Sequence, residues 1–135
     1  MGGAARRRVQ RHRAAHASGD LLAALQQPSF YSDRPQSVEL RETHISWVLL
    51  TDRYAYKLKK PVRFEFLDFS TLERRRAACE TELRLNRRLA PDIYLDLMAL
   101  VRSPQGELQL ISTTTESAQL NGDAIIVDYL VKMRR

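Results

Sequence analysis

A lysine on a strand and a carboxylate on the helix that follows can together hold the oxygens of a polyphosphate. The lysine supplies the charge, and the carboxylate keeps its long side chain extended. The run Tyr54-Ala55-Tyr56-Lys57 and a later segment carrying Glu80 and Glu82 offer both groups in that order, with Glu82 lying 25 residues beyond Lys57. Tyr54 to Leu58 alternates as a strand that Pro61 closes, so Tyr54, Tyr56 and Leu58 share one face while Ala55, Lys57 and Lys59 share the other. A small residue beside a lysine suits a strand that lines a nucleotide cleft, and it equally suits a solvated strand face.

The carboxylate needs a helix to carry it. Ser70 followed by Glu73 is a capping-box pattern, and the helix it opens is expected to run to about Leu89, where Pro91 stops it. With about 100° between successive residues, Leu72, Ala78, Cys79, Leu83, Leu85 and Leu89 occupy one broad apolar arc. Glu82 falls near the middle of that arc and so requires a partner, because an unpaired buried charge is costly. Before the lysine strand, Asp20 is expected to cap a short helix, Leu21 to Gln26, and Val38 to Leu50 reads as two strands joined at Arg41-Glu42-Thr43-His44. After the helix come strands at Tyr94 to Val101, Leu108 to Ser112 and Ala124 to Met133, joined by a turn at Ser103-Pro104-Gln105-Gly106 and a polar loop through Asn121-Gly122. The pattern predicts an α+β domain with one main helix packed on a mostly antiparallel sheet of about five strands.

The chain of 135 residues can bury one ordinary core. Its formal charge of +6 would suggest nucleic acid, but Arg6, Arg7, Arg8, Arg11 and Arg13 stand in a start that contains no acid. Residues 20–135 then hold 17 basic against 16 acidic side chains, so nucleic-acid binding is not expected of the domain. Residues 1–19 are expected to be a disordered basic tail, with an organelle transit peptide as the alternative. Met1-Gly2 does not read as a myristoylation signal, because position 6 is arginine. The single Cys79 excludes an internal disulfide and a cysteine-based zinc site, and its place on the apolar arc makes it a core residue. No apolar run is long enough to span a membrane and the start lacks the apolar region of a secretory signal, so a cytoplasmic location is expected.

Longer blocks carry a resemblance. Arg41-Glu42-Thr43-His44-Ile45-Ser46-Trp47-Val48-Leu49-Leu50, Tyr54-Ala55-Tyr56-Lys57-Leu58-Lys59-Lys60-Pro61-Val62, Phe66-Leu67-Asp68-Phe69-Ser70-Thr71-Leu72-Glu73-Arg74-Arg75-Arg76, Glu82-Leu83-Arg84-Leu85-Asn86-Arg87-Arg88-Leu89-Ala90-Pro91 and Val131-Lys132-Met133-Arg134-Arg135 are similar to a bacterial family of uncharacterised aminoglycoside-phosphotransferase-like proteins. Members of that family often carry a P-loop ATPase domain downstream. The resemblance covers about residues 21–135 and implies a protein-kinase-like fold, with residues 20–135 as its N-terminal, nucleotide-covering lobe.

It further implies ATP as the cofactor. Tyr54-Ala55-Tyr56-Lys57 takes the place of the kinase V-A-I-K strand, which puts Lys57 on the α- and β-phosphates and Ala55 under the adenine. Met133, in a hinge at Val131-Lys132-Met133, would pack on the purine, and Thr43, His44 and Ser46 would offer donors in a phosphate-covering turn that here contains no glycine. Glu82 is preferred to Glu80 as the partner of Lys57, because the helical wheel favours it and because Leu85 and Leu89 follow it at the kinase spacing. The alternative for either glutamate is a surface acid paired with an arginine one turn away. Lys59 and Lys60 are expected to be solvated.

The aspartates that orient an acceptor hydroxyl and hold Mg²⁺ belong to a large lobe in such enzymes. No catalytic or metal-binding residue is therefore expected within this chain, which is expected not to transfer phosphate alone. The expected partners are ATP and either the C-terminal lobe or another protein docking on the exposed lobe face. The competing expectation is a non-catalytic interaction or regulatory domain derived from that lobe.

Overall fold

The alternation around Lys57 divides the molecule into two sides. The computed structural model describes residues 19–114 and 123–135. The expected tail up to residue 18 and the polar loop through Asn121-Gly122 lie outside those residues. Strands β1 (Glu39–Glu42), β2 (Ser46–Leu50), β3 (Tyr54–Lys59), β6 (Tyr94–Arg102), β7 (Leu108–Ser112) and β8 (Ile125–Arg134) form one antiparallel sheet in the order β1-β2-β3-β8-β6-β7. The last strand in sequence therefore lies inside the sheet, between β3 and β6.

Among the described residues the main sheet has six strands where the pattern predicts about five. A separate two-stranded hairpin, β4 (Arg63–Phe64) with β5 (Leu67–Asp68), was not anticipated. Two-residue strands are too short to show a period of two. The α+β class and the antiparallel sheet are as the sequence predicts.

Tyr56 and Leu58 of β3 point to one side, where they join Leu25, Tyr31, Leu49, Met98, Leu100 and Leu130 in a buried cluster. A helix, α1, spanning 19–25, and a 3-10 turn at Pro28–Phe30 supply Leu25 and Tyr31 to that side. Gly19 is already helical, so Asp20 lies within α1 rather than capping it. The Tyr31 hydroxyl donates to the Leu25 carbonyl at 2.5 Å and fastens the turn to the helix.

The other side carries helix α2 (Leu72–Leu89), which packs on β8 and β6. Cys79, Leu97, Ala99, Val101, Ile111, Tyr129 and Val131 are buried there, and Leu72 and Leu83 pack against them. Burial pushes the Cys79 thiol up to about 12, which keeps it protonated. The cap is Thr71, whose hydroxyl accepts from the Arg74 N–H at 3.2 Å. The expected cap, Ser70, instead gives both its N–H and its hydroxyl to the Asp68 carboxylate two residues earlier.

The predicted apolar arc is only partly buried. Leu85 is 48% exposed and Leu89 88% exposed. Counting about 100° per residue from Cys79, Leu83 and Leu72 fall within about 40° of the buried line, whereas Leu89 and Leu85 fall about 80° and 120° away. The sheet covers a narrower strip than the arc, so these two leucines lie beyond its reach, and Glu82 lies on the boundary.

Three arginines of α2 reach the sheet, and one of them, Arg76, donates to the Tyr129 hydroxyl of β8 at 3.2 Å. Arg75 is paired with Asp128 of β8 at 3.1 Å, with both side chains nearly buried, and it also donates to the Phe69 carbonyl. Arg87, near the C-terminal end, donates to the carbonyls of Tyr94 and Leu95 at the start of β6.

Candidate functional site

The pairing register sets a row of side chains on the α2 side of the sheet. Residues directly opposite in an antiparallel pair share a face. Val48, Lys57 and Val131 are aligned across β2, β3 and β8, and Leu50, Ala55 and Met133 form the next row. Ala55 and Met133 are thus direct neighbours, two residue pairs along the ladder from Lys57 and on the same face. The sequence reading named Ala55, Lys57 and Met133 as one site, and the sheet brings these three together.

Lys57 meets Glu82 of α2, with Nζ 3.4 Å from Oε2. Glu80 faces elsewhere and pairs with Arg76 at 2.9 Å, with both side chains about half exposed. The carboxylate opposite Lys57 is therefore Glu82. Of the two grounds for preferring it, the wheel position holds in part: Glu82 is on the sheet-facing side of α2, but at the edge of the buried strip and not at its middle. The leucines at Leu85 and Leu89 do not act as core anchors, since both are exposed.

Lys59 corrects the sequence reading most sharply. Its Nζ donates to Glu82 Oε1 at 3.0 Å, and its side chain is only 6% exposed. The ammonium also lies 5.2 Å from the centre of the Phe69 ring. The expectation of a solvated Lys59 fails because α2 and Phe69 cover the end of β3. Its shared parity with Lys57 and Ala55 places it on their face, but parity alone does not tell a covered face from a solvated one.

Lys60 is not free in solvent either. It pairs with Glu42 at 2.8 Å and lies over the Trp47 ring, whose Nε1–H donates to the same carboxylate. The Lys60 and Trp47 hydrogen bonds hold the Glu42 carboxyl below the usual carboxylate range.

Thr43 and His44 lie at the β1–β2 turn, beyond the Ser46–Lys59 pair. The Thr43 hydroxyl accepts from the Ser46 N–H at 3.0 Å and donates to the Ser46 carbonyl, so it closes the turn. Ser46 is buried, and His44 is exposed. The turn without glycine is held by a side chain.

Val131-Lys132-Met133 does not form a hinge. All three lie within β8, paired with β3 on one edge and β6 on the other, so their backbone groups face sheet neighbours. The strand continues to Arg134, and Arg135 donates to the carbonyls of Arg53 and Thr51.

Asp68-Phe69-Ser70 is structural. Hydrogen bonds from the Ser70 hydroxyl and N–H lower the Asp68 carboxyl, and Phe69 is buried. Asp128 is shifted the other way, raised chiefly by burial against the opposing pull of Arg75. Among the described residues, no group of three or more His, Cys, Asp or Glu side chains could hold a metal ion. No helix among them is long and apolar enough to cross a membrane.

Uncharacterised proteins of Mycobacterium tuberculosis, strains H37Rv and CDC 1551, and of Mycobacterium bovis are each 45% identical to this chain over 69 residues. The match takes in 51% of the chain and 14% of the relatives' length, so the chain corresponds to a small part of much longer proteins. No family model matches, and no solved structure matches.

Proposed function

We propose that this chain is the nucleotide-covering small lobe of a kinase-like phosphotransferase, with ATP as the nucleotide. The observation that carries this reading is the Lys57–Glu82 pair between β3 and α2. In protein kinases a strand lysine and a helix glutamate form the ion pair that must be in place for transfer. In this reading Lys57 reaches the α- and β-phosphates, and the row Leu50, Ala55 and Met133 offers an apolar floor to the purine. The Glu82 Oε2 atom is buried and accepts no hydrogen bond, so the pair is set for a lysine shared between a carboxylate and a ligand.

Binding and positioning are this chain's part of the chemistry. The acceptor-orienting aspartate and the Mg²⁺ ligands would come from a second lobe, as would specificity for the acceptor. The exposed Leu85, Leu89 and Ile93, on and just beyond α2, would lie under that lobe or another protein. The much greater length of the mycobacterial relatives favours a further part of the same protein as the occupant.

An acyl-phosphate derivative of ATP, which acylates lysine amines near bound phosphates, tests the reading. Labelling should fall on Lys57 and be suppressed by ATP. Labelling spread over surface lysines and indifferent to ATP would overturn it.

A further inference from the structure

Glu82 is shared between two lysines, and the sharing is unequal. Lys59 makes the hydrogen bond, at 3.0 Å to Oε1, and is almost fully enclosed. Lys57 stands 3.4 Å from Oε2 without making one, and its side chain is 28% exposed. We infer that Lys59 is a positioning residue: it neutralises and fixes Glu82 so that the charge of Lys57 remains available to an anionic, polyphosphate-type ligand.

The argument is one of charge and access. A buried carboxylate is tolerable once a cation with good geometry compensates it. Lys59 meets that need from below, between Phe69 and α2. The three groups together carry one net positive charge, and the more exposed member of the trio is Lys57. With a single lysine, a ligand oxygen would compete with the glutamate for the same ammonium. With two, the carboxylate orients Lys57 without consuming its charge. The ligand class rests on the nucleotide reading above, whereas the unequal sharing of Glu82 does not.

The test uses the whole chain and two probes, Mg·ATP and inorganic tripolyphosphate, titrated calorimetrically at low and moderate salt. Lys59→Met should weaken both by about tenfold and flatten the salt dependence, because Lys57 then closes on Glu82 as a neutral pair. Lys59→Arg should restore both affinity and salt dependence. Lys59→Gln, which keeps a hydrogen bond to Oε1 without the charge, should behave like Lys59→Met and replaces it if that variant does not fold.

A second readout needs no ligand. In ¹⁵N-detected spectra of lysine ammonium groups, the wild type should show a slowly exchanging signal from Lys59, and Lys59→Met should gain one from Lys57. Wild-type affinity in Lys59→Met and Lys59→Gln, or an unchanged Lys57 signal, overturns the positioning role and leaves the nucleotide site standing. If the wild type binds neither probe but the Lys57 signal sharpens, the two-lysine arrangement stands and the nucleotide reading falls.

Discussion

Arg75 Nε and Asp128 Oδ1 lie 3.1 Å apart, nearly buried between α2 and β8, and this contact fixes the helix that carries Glu82. The pair sits two turns before Glu82 on the helix and three residues before Val131, the β8 neighbour of Lys57. Removing one partner strands a charge in a dry interface, so Asp128→Ala should cost about 3–5 kcal/mol. Replacing both, as Arg75→Met with Asp128→Leu, should return most of that loss. Chemical denaturation of the singles and the double variant checks the cycle. Additive losses would mean that the two side chains act independently.

Glu82 and Glu80 should part company on substitution. Glu82→Ala leaves Lys59 enclosed without a counter-charge and should destabilise the fold by about 3 kcal/mol or more. Glu80→Ala removes an exposed pair with Arg76 and should change stability by no more than about 0.5 kcal/mol. Thermal midpoints measured side by side decide the matter, and similar losses from both would contradict the assignment of Glu82.

Asp68 gives the acid response a sign. Its carboxyl is lowered by the bonds from Ser70, so it contributes stability that is fully present above its unfolded value near 4. That contribution is lost as pH falls from there through the lower folded value. Asp128, raised by burial, works in the opposite direction, since its folded form takes up a proton more readily than the unfolded chain. Asp68→Asn should therefore make stability less sensitive to acid below about pH 4. An unchanged acid slope in that variant would show that the Ser70 bonds do not hold the carboxylate.

The outer flank of α2 should be dispensable for folding of this chain. Leu85→Glu with Leu89→Glu should leave stability within about 0.5 kcal/mol per site, because neither side chain is covered by the sheet. The same change should lower binding of a hydrophobic dye. A large loss of stability would mean that these leucines are buried in solution, for instance against a second copy.

Much of the frame was legible because strong local patterns and tertiary packing agree. The alternation of β3 and the span of α2 come directly from apolar spacing and from Pro91. Glu82 was legible as a carboxylate on an apolar arc, a place that demands a partner. Lys59 was not, because a lysine on a strand face reads the same whether water or a helix covers it. The cap moved from Ser70 to Thr71 because Asp68 took the serine. Leu85 and Leu89 misled for a geometric reason: a helical wheel shows which residues share a side, but not how wide a strip the neighbouring sheet will cover.

The most direct test of the central claim is a calorimetric titration of the chain with Mg·ATP, comparing wild type with Lys57→Ala. Lys57 is partly exposed and makes no hydrogen bond to Glu82, so the variant should fold with a stability change within about 1 kcal/mol. The account predicts saturable binding by the wild type and its loss in the variant. Binding that survives the loss of Lys57, or a folded wild type that does not bind, would contradict it.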